Sequence, residues 1–238
     1  MIEDPASAPP LISNALRAAA TLAFVIALPT FLITSGVRQI ALGQGFYLDE
    51  FAKYRVGVVT GLSQPELQQV AQAFIQYFLA PPQRMDEAVA LPSSRGPLFN
   101  QRELAHMVDV QILMHRVFDA WTLSLIVLLA SGLLILVVHP ASGGPALVRA
   151  GAIGGALAIV IIGAAALASL VNFSALFSQF HFLSFSNDLW MLDPRTDRLI
   201  QLFPLGFFFD AALRIAVQTV ALGAVVFAVS MAGLRLMR

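Results

Sequence analysis

The sequence has 238 residues, of which 58% are apolar and only 12% charged. Soluble domains carry roughly a quarter charged residues, and a globule of this size could not bury so much apolar surface, so lipid is the implied solvent. Lys+Arg and Asp+Glu each number 14, which leaves no net charge to draw nucleic acid, and the absence of cysteine excludes disulfides, thiolate nucleophiles and cysteine-ligated metal centres.

About 20 helical residues cross roughly 30 Å of hydrocarbon. Four stretches satisfy that length, at about 16–37, 117–138, 148–172 and 207–234. They predict an all-α, polytopic membrane protein forming a single membrane domain over 1–238. In that picture a bundle of about four transmembrane helices carries an extracytoplasmic helical cap, built from segments 38–116 and 173–206. The first span holds Pro29, which predicts a kink rather than a break, because neighbouring helices can satisfy the freed carbonyl. Glu3 and Asp4 precede the single Arg17 and no clear small-x-small cleavage site follows, so this span reads as a retained anchor rather than a cleaved leader.

Segment 38–116 is too long to be a mere connection. Ser63-Gln64-Pro65-Glu66 has the spacing of a capping box. The helix it opens places Leu67, Val70, Ala71, Phe74 and Phe78 on one face and ends before Pro81-Pro82. That face can pack on the bundle, the default reading, or lie in the headgroup layer. A second cap stands at Asn100, with Glu103 three residues on, and its helix runs into the second span. Residues three or four apart share a helix face, so Arg102, His106 and Asp109 are neighbours at the outer end of that helix. A solvated salt-bridge stripe explains them as well as a catalytic site does.

The third span gathers Gly151, Gly154, Gly155 and Gly163 among many alanines. Small residues let helices approach closely in lipid, and here they predict tight packing within the chain rather than a dimer motif. Segment 173–206 follows, with Phe173, Phe177, Phe180, Phe182, Phe185, Trp190 and Phe203 in the manner of an interfacial aromatic belt. Set among them are His181, Asn187, Asp188, Asp193 and Asp197, and Asp193-Pro194-Arg195-Thr196-Asp197 has the composition of a turn. An anchor explains the aromatic residues but not a histidine placed between phenylalanines. Basic residues at the span ends set orientation. Arg17, Arg149, Arg235 and Arg238 fall on one side when the spans are even in number, and that side is assigned to the cytoplasm.

His106 and His181 then share the outer face. A histidine neutral near pH 7 can accept a proton and return it, and Asp109 or Glu103 could orient a ring as the carboxylate does in a triad. No GxSxG elbow accompanies them. Metal binding is the competing chemistry: Glu103 with His106, or His106 with Asp109, has chelating i, i+3 spacing, with His181 as a third ligand. No HExxH motif occurs, His115 lies in or near the second span, and His139 sits at the predicted cytoplasmic end.

The stretch Phe99-Asn100-Gln101-Arg102-Glu103-Leu104-Ala105-His106-Met107-Val108-Asp109-Val110 resembles an N-x-R-E-x-x-H-M-x-D-V block of a family of bacterial integral membrane proteins. Phe180-His181-Phe182, with Asn187-Asp188-Leu189-Trp190 and the run from Asp193 to Pro204, resembles that family's second block. The family includes the lipoprotein intramolecular transacylase, Lit. The resemblance implies an acyltransferase that moves the sn-2 acyl chain of a diacylglyceryl-cysteine lipoprotein or lipopeptide onto the cysteine α-amino group. It implies a site in the cell membrane open to the outer face, no cofactor or metal, membrane lipids as partners, and His106 and His181 as the catalytic pair. Arg102, Glu103, Asp109, Asn187 and Asp188 are the candidate orienting or oxyanion-stabilising residues, and Phe180 and Trp190 the candidate substrate contacts. Two alternatives stay open, a different lipid- or peptide-processing membrane enzyme using the same histidines, with or without metal, and a non-catalytic membrane subunit.

Overall fold

The computed structural model describes residues 10–81, 97–138 and 140–237. Glu3, Asp4, His139 and Arg238, which entered the reading of the sequence, lie outside the described residues. Those described form eight helices and no strand: α1 (Pro10–Leu42), α2 (Gln44–Lys53), α3 (Val56–Thr60), α4 (Gln64–Leu79), α5 (Gln101–Val138), α6 (Pro140–Ser184), α7 (Arg198–Leu202) and α8 (Leu205–Leu236). Four of them, α1, α5, α6 and α8, are long and apolar enough to cross a membrane. Each overruns the predicted span, because polar residues end an apolar run without ending a helix. At 1.5 Å per residue, the 38 residues of α5 reach about 57 Å, and its charged residues stop at Asp119. Helix α1 is continuous through Pro29.

The chain divides into two compact units. The first comprises residues up to Ser35 with Ala120–Ala164 and Val217–Arg238. Its small buried core joins Leu28, Leu32 and Ala158, flanked by Phe24, Phe31, Leu128 and Val226. Phe31 stacks on Trp121 at 5.9 Å, and the Trp121 indole donates to Ser35 Oγ at 2.9 Å. The glycines of α6 permit close backbone approach within this unit. A methyl on Gly155 would stand 2.8 Å from the Gly223 carbonyl oxygen, and one on Gly154 2.9 Å from Leu28. Gly151 is equally tight against Ser230, whereas Gly163 faces open space. Leu129, Val160 and Val217 are 67%, 66% and 62% exposed, the outward apolar surface expected of helices solvated by lipid.

The second unit, Gly36–Asp119 with Ala165–Ala216, holds most of the buried core. The capping box predicted for α4 forms: the Ser63 amide donates to Glu66 Oε2 at 2.7 Å. The apolar face of α4 is used within this core, with Leu67, Val70, Ala71, Phe74, Tyr77 and Phe78 all buried, so little of it remains for a headgroup layer. Phe74 meets Phe203 edge-on at 4.7 Å and Phe99 at 6.1 Å. At the end of α4 the Gln111 amide, fully buried, donates to the Tyr77 carbonyl at 2.6 Å, and His115 Nε2 lies 3.1 Å from the Phe78 carbonyl. Thus α5 side chains satisfy carbonyls that a helix end leaves orphaned. His115 serves that structural bond.

Beside the start of α8, Lys53 Nζ and Tyr54 Oη both donate to Asp210 Oδ2 at 2.5 Å. Glu50 is buried next to them, and its Oε2 has no partner among the described residues. Burial and the neighbouring Asp210 carboxylate push the Glu50 carboxyl up to about 7.

Candidate active site

Asn100 builds the start of α5. Its amide donates to Glu103 Oε2 at 2.7 Å, while its side-chain oxygen accepts the Glu103 amide at 3.0 Å, the reciprocal pair of a capping box. One turn on, His106 is buried at 6% exposure. The second histidine is positioned by a break in α6. Asn172 leaves helical geometry with φ −158° and ψ 83°, and its side-chain oxygen accepts the Ala175 amide at 3.0 Å, opening a new helical segment that ends at Ser184. The third apolar run was predicted to end at this residue. His181 lies on the new segment and is buried at 7% exposure.

The two imidazoles stand 6.2 Å apart between ring centroids, inclined at 35°. Aromatic rings pack around them: Phe177 at 4.3 Å, Trp190 at 4.8 Å and Phe180 at 5.2 Å from His181, and Phe185 at 5.2 Å from His106. His181 Nδ1 lies 2.7 Å from the Phe177 carbonyl oxygen. A carbonyl only accepts, so Nδ1 carries the proton and Nε2 of the neutral ring is left as the acceptor. His106 Nδ1 is buried with no partner among the described residues.

The other predicted site residues assemble here as supports. The loop from Phe185 to Trp190 is tied to α5 at two points. Arg102 donates to the Asp188 carbonyl oxygen, with its guanidinium 3.7 Å from the Asp188 carboxylate, and Asn187 Nδ2 donates to Asp109 Oδ2 at 2.8 Å. The Trp190 indole N–H returns to the Asn187 carbonyl at 3.1 Å, which holds its ring against His181. Glu103 serves neither ring nitrogen. Its Oε1 accepts the Leu199 amide at 2.6 Å and its Oε2 the Asn100 amide, so this carboxylate joins the starts of α5 and α7. Among the described residues no three His, Asp or Glu side chains converge on a possible metal position.

The turn predicted at Asp193 forms. The Thr196 and Asp197 amides donate to the Asp193 carbonyl at 3.1 and 2.8 Å, and Arg195 caps the Asp193 carboxylate, holding it down at about 2. Asp197, nearly buried, accepts from Asn100 Nδ2 at 3.0 Å and from the Asp193 amide at 2.7 Å. Phe177 and Phe185 read as belt residues in the sequence, yet they form walls of the histidine pair. The i, i+4 spacing of Phe177 and His181 was the one available signal.

The sequence profile of the lipoprotein intramolecular transacylase Lit family matches residues 22–208. The chain belongs to that family. No curated protein matches the sequence significantly. The fold is that of the membrane integral lipoprotein intramolecular transacylase Lit from Bacillus cereus, with a TM-score of 0.79 at 20% identity over 94% of this chain and 99% of that one. Two structures of the same Bacillus cereus protein, with one histidine replaced by alanine or by arginine, are similar at a TM-score of 0.75 and 19% identity. They cover 96% of this chain and 98% and 96% of theirs. The Lit family assignment makes this a multi-pass membrane acyltransferase with a lipoprotein substrate.

Proposed function

We propose that His106 and His181 carry the family reaction, moving the sn-2 acyl chain of a diacylglyceryl-cysteine substrate from glycerol oxygen to the cysteine α-amino group. The observation that supports this most is the convergence, in one aromatic-walled site, of two imidazoles 75 residues apart in the chain (181 less 106). Amine and ester belong to one molecule, so holding them in contact supplies much of the acceleration. In this reading the amine nitrogen attacks the ester carbonyl and its proton passes to Nε2 of His181. The carbonyl π pair moves to oxygen, giving a tetrahedral oxyanion. The C–O bond to glycerol then breaks, the carbonyl re-forms, and the departing oxygen takes the proton back from His181. An ester becomes an amide and no further reactant is consumed.

His106 is assigned to the oxyanion. The other candidate donors, Arg102 and Asn187, are already committed to Asp188 and Asp109. They act here by holding the loop that carries Trp190, with Asp188 as the loop's anchor. Phe180 and Trp190, beside His181, are assigned to the substrate's apolar portion. The site is assigned to the outer face of the cell membrane, from the placement of Arg17, Arg149 and Arg235 at the opposite ends of the long helices.

The test is turnover of a synthetic diacylglyceryl lipopeptide in detergent, read by tandem mass spectrometry. An N-acylated, S-monoacylglyceryl product is expected. H106N and H181N should each lower the rate by at least about 10²-fold, the lower range for loss of acid–base or oxyanion catalysis. A variant losing less than about tenfold with its fold intact removes that histidine from the mechanism.

A further inference from the structure

The Phe177 and Trp190 rings also border an open hollow of about 520 Å³, lined further by Met191, Leu192, Ile200 and the turn at 193–195. Its size falls within the roughly 300–1,000 Å³ of small-ligand clefts. Phe177 and Trp190 are the two rings nearest His181, so the hollow shares two of its lining residues with the walls of the histidine pair.

The hydrogen-bond accounts of the lining decide what it can hold. The Met191 amide donates to the Asp188 carbonyl, the Leu192 amide to the Trp190 carbonyl, and the Asp193 amide to Asp197 Oδ2. The Arg195 amide donates to Asp193 Oδ1, Pro194 has no N–H, and the Pro194 carbonyl accepts from Gln201. The Trp190 indole is bound to Asn187. The only two charges, Asp193 and Arg195, neutralise each other through contacts of 2.7 and 3.0 Å. The amides at 191, 192, 193 and 195 are thus already bonded, so a peptide laid here would find few backbone donors for its own carbonyls, at a cost for each unpaired group. An alkyl chain brings no such groups and matches the Phe, Trp, Leu, Met and Ile surfaces.

We infer that this cavity seats the fatty acyl chain undergoing transfer, with its carbonyl at the histidine pair and its tail running past Trp190 and Phe177 toward Ile200. The inference rests on the transacylase reading above. It makes Ile200, which touches neither histidine, a determinant of acyl-chain length.

The experiment compares lipopeptides carrying palmitoyl or butyryl at sn-2, with wild type, I200W and I200A. I200W should lower kcat/KM for the palmitoyl substrate at least tenfold relative to the butyryl one, while I200A, which widens the seat, should not lower that ratio below wild type. Equal loss on both substrates, or an unchanged ratio in I200W, overturns the acyl assignment while leaving the transacylase reading intact. If wild type converts neither substrate, it is the transacylase reading that fails. A second arm reads occupancy without turnover, using a lipopeptide whose sn-2 chain ends in a diazirine, photolysed on the full-length protein. Label on peptides spanning 190–200 supports the assignment. Label confined to other segments overturns it.

Discussion

Glu103 separates a structural carboxylate from a catalytic one. It is 1% exposed, and its two oxygens accept the amides of Leu199 at 2.6 Å and Asn100 at 2.7 Å. Truncation to alanine leaves both amides without that acceptor. The Leu199 amide is buried, and leaving such a donor unsatisfied costs about 1–3 kcal/mol, so E103A should lose at least that much, the more exposed Asn100 amide adding less. E103Q retains one acceptor oxygen and presents an NH₂ group to the other amide, so its loss should be about half as large. The assay is thermal unfolding in detergent together with lipopeptide turnover well below the transition. Tm should fall in the order wild type, E103Q, E103A, while E103Q at low temperature keeps kcat within about threefold, because the carboxylate meets neither imidazole. A kcat loss of about 10² or more in E103Q with an unchanged Tm would refute this reasoning and return Glu103 to the proton-transfer machinery.

D109A removes the acceptor of Asn187 and loosens the loop that presses Trp190 on His181. Loss of one such bond corresponds to about 1.4 kcal/mol, or roughly tenfold in kcat, with little change in Tm; equal kcat in D109A and wild type would show that the loop needs no tether. G155A forces a methyl to 2.8 Å from the Gly223 carbonyl oxygen. Overpacking of this kind costs about 1–3 kcal/mol, so the thermal transition should fall, which differential scanning calorimetry would register. Glu50 has a folded-state carboxyl raised from 4.5 to about 7. Its contribution to stability is therefore complete below about 4.5 and is lost as pH rises through about 7. E50Q should flatten the fall in Tm between pH 5 and pH 8 relative to wild type, and an unchanged slope would mean that Glu50 does not titrate there.

Composition alone determined the solvent, since 58% apolar residues and 12% charged ones leave no soluble alternative. Runs of about 20 apolar residues located the four long helices. Local chemistry located their beginnings too, because a capping box needs only residues three apart, and both Ser63–Glu66 and Asn100–Glu103 form as the spacing predicts. Tertiary structure alone decided which polar side chains serve the histidines and which serve the chain. Glu103 shares a helix with His106, yet its second partner, Leu199, lies 96 residues away, and no local pattern encodes that contact. Phe177 and Phe185 looked like membrane anchors because an aromatic ring has the same composition signal in a belt as in an active-site wall. The Asn172 break is a backbone event within a helix, and the 6.2 Å between the two imidazoles joins segments distant in sequence. Hydropathy and capping act between near neighbours and are legible in one dimension, whereas the convergence of His106, His181 and Trp190 depends on how the helices fold together.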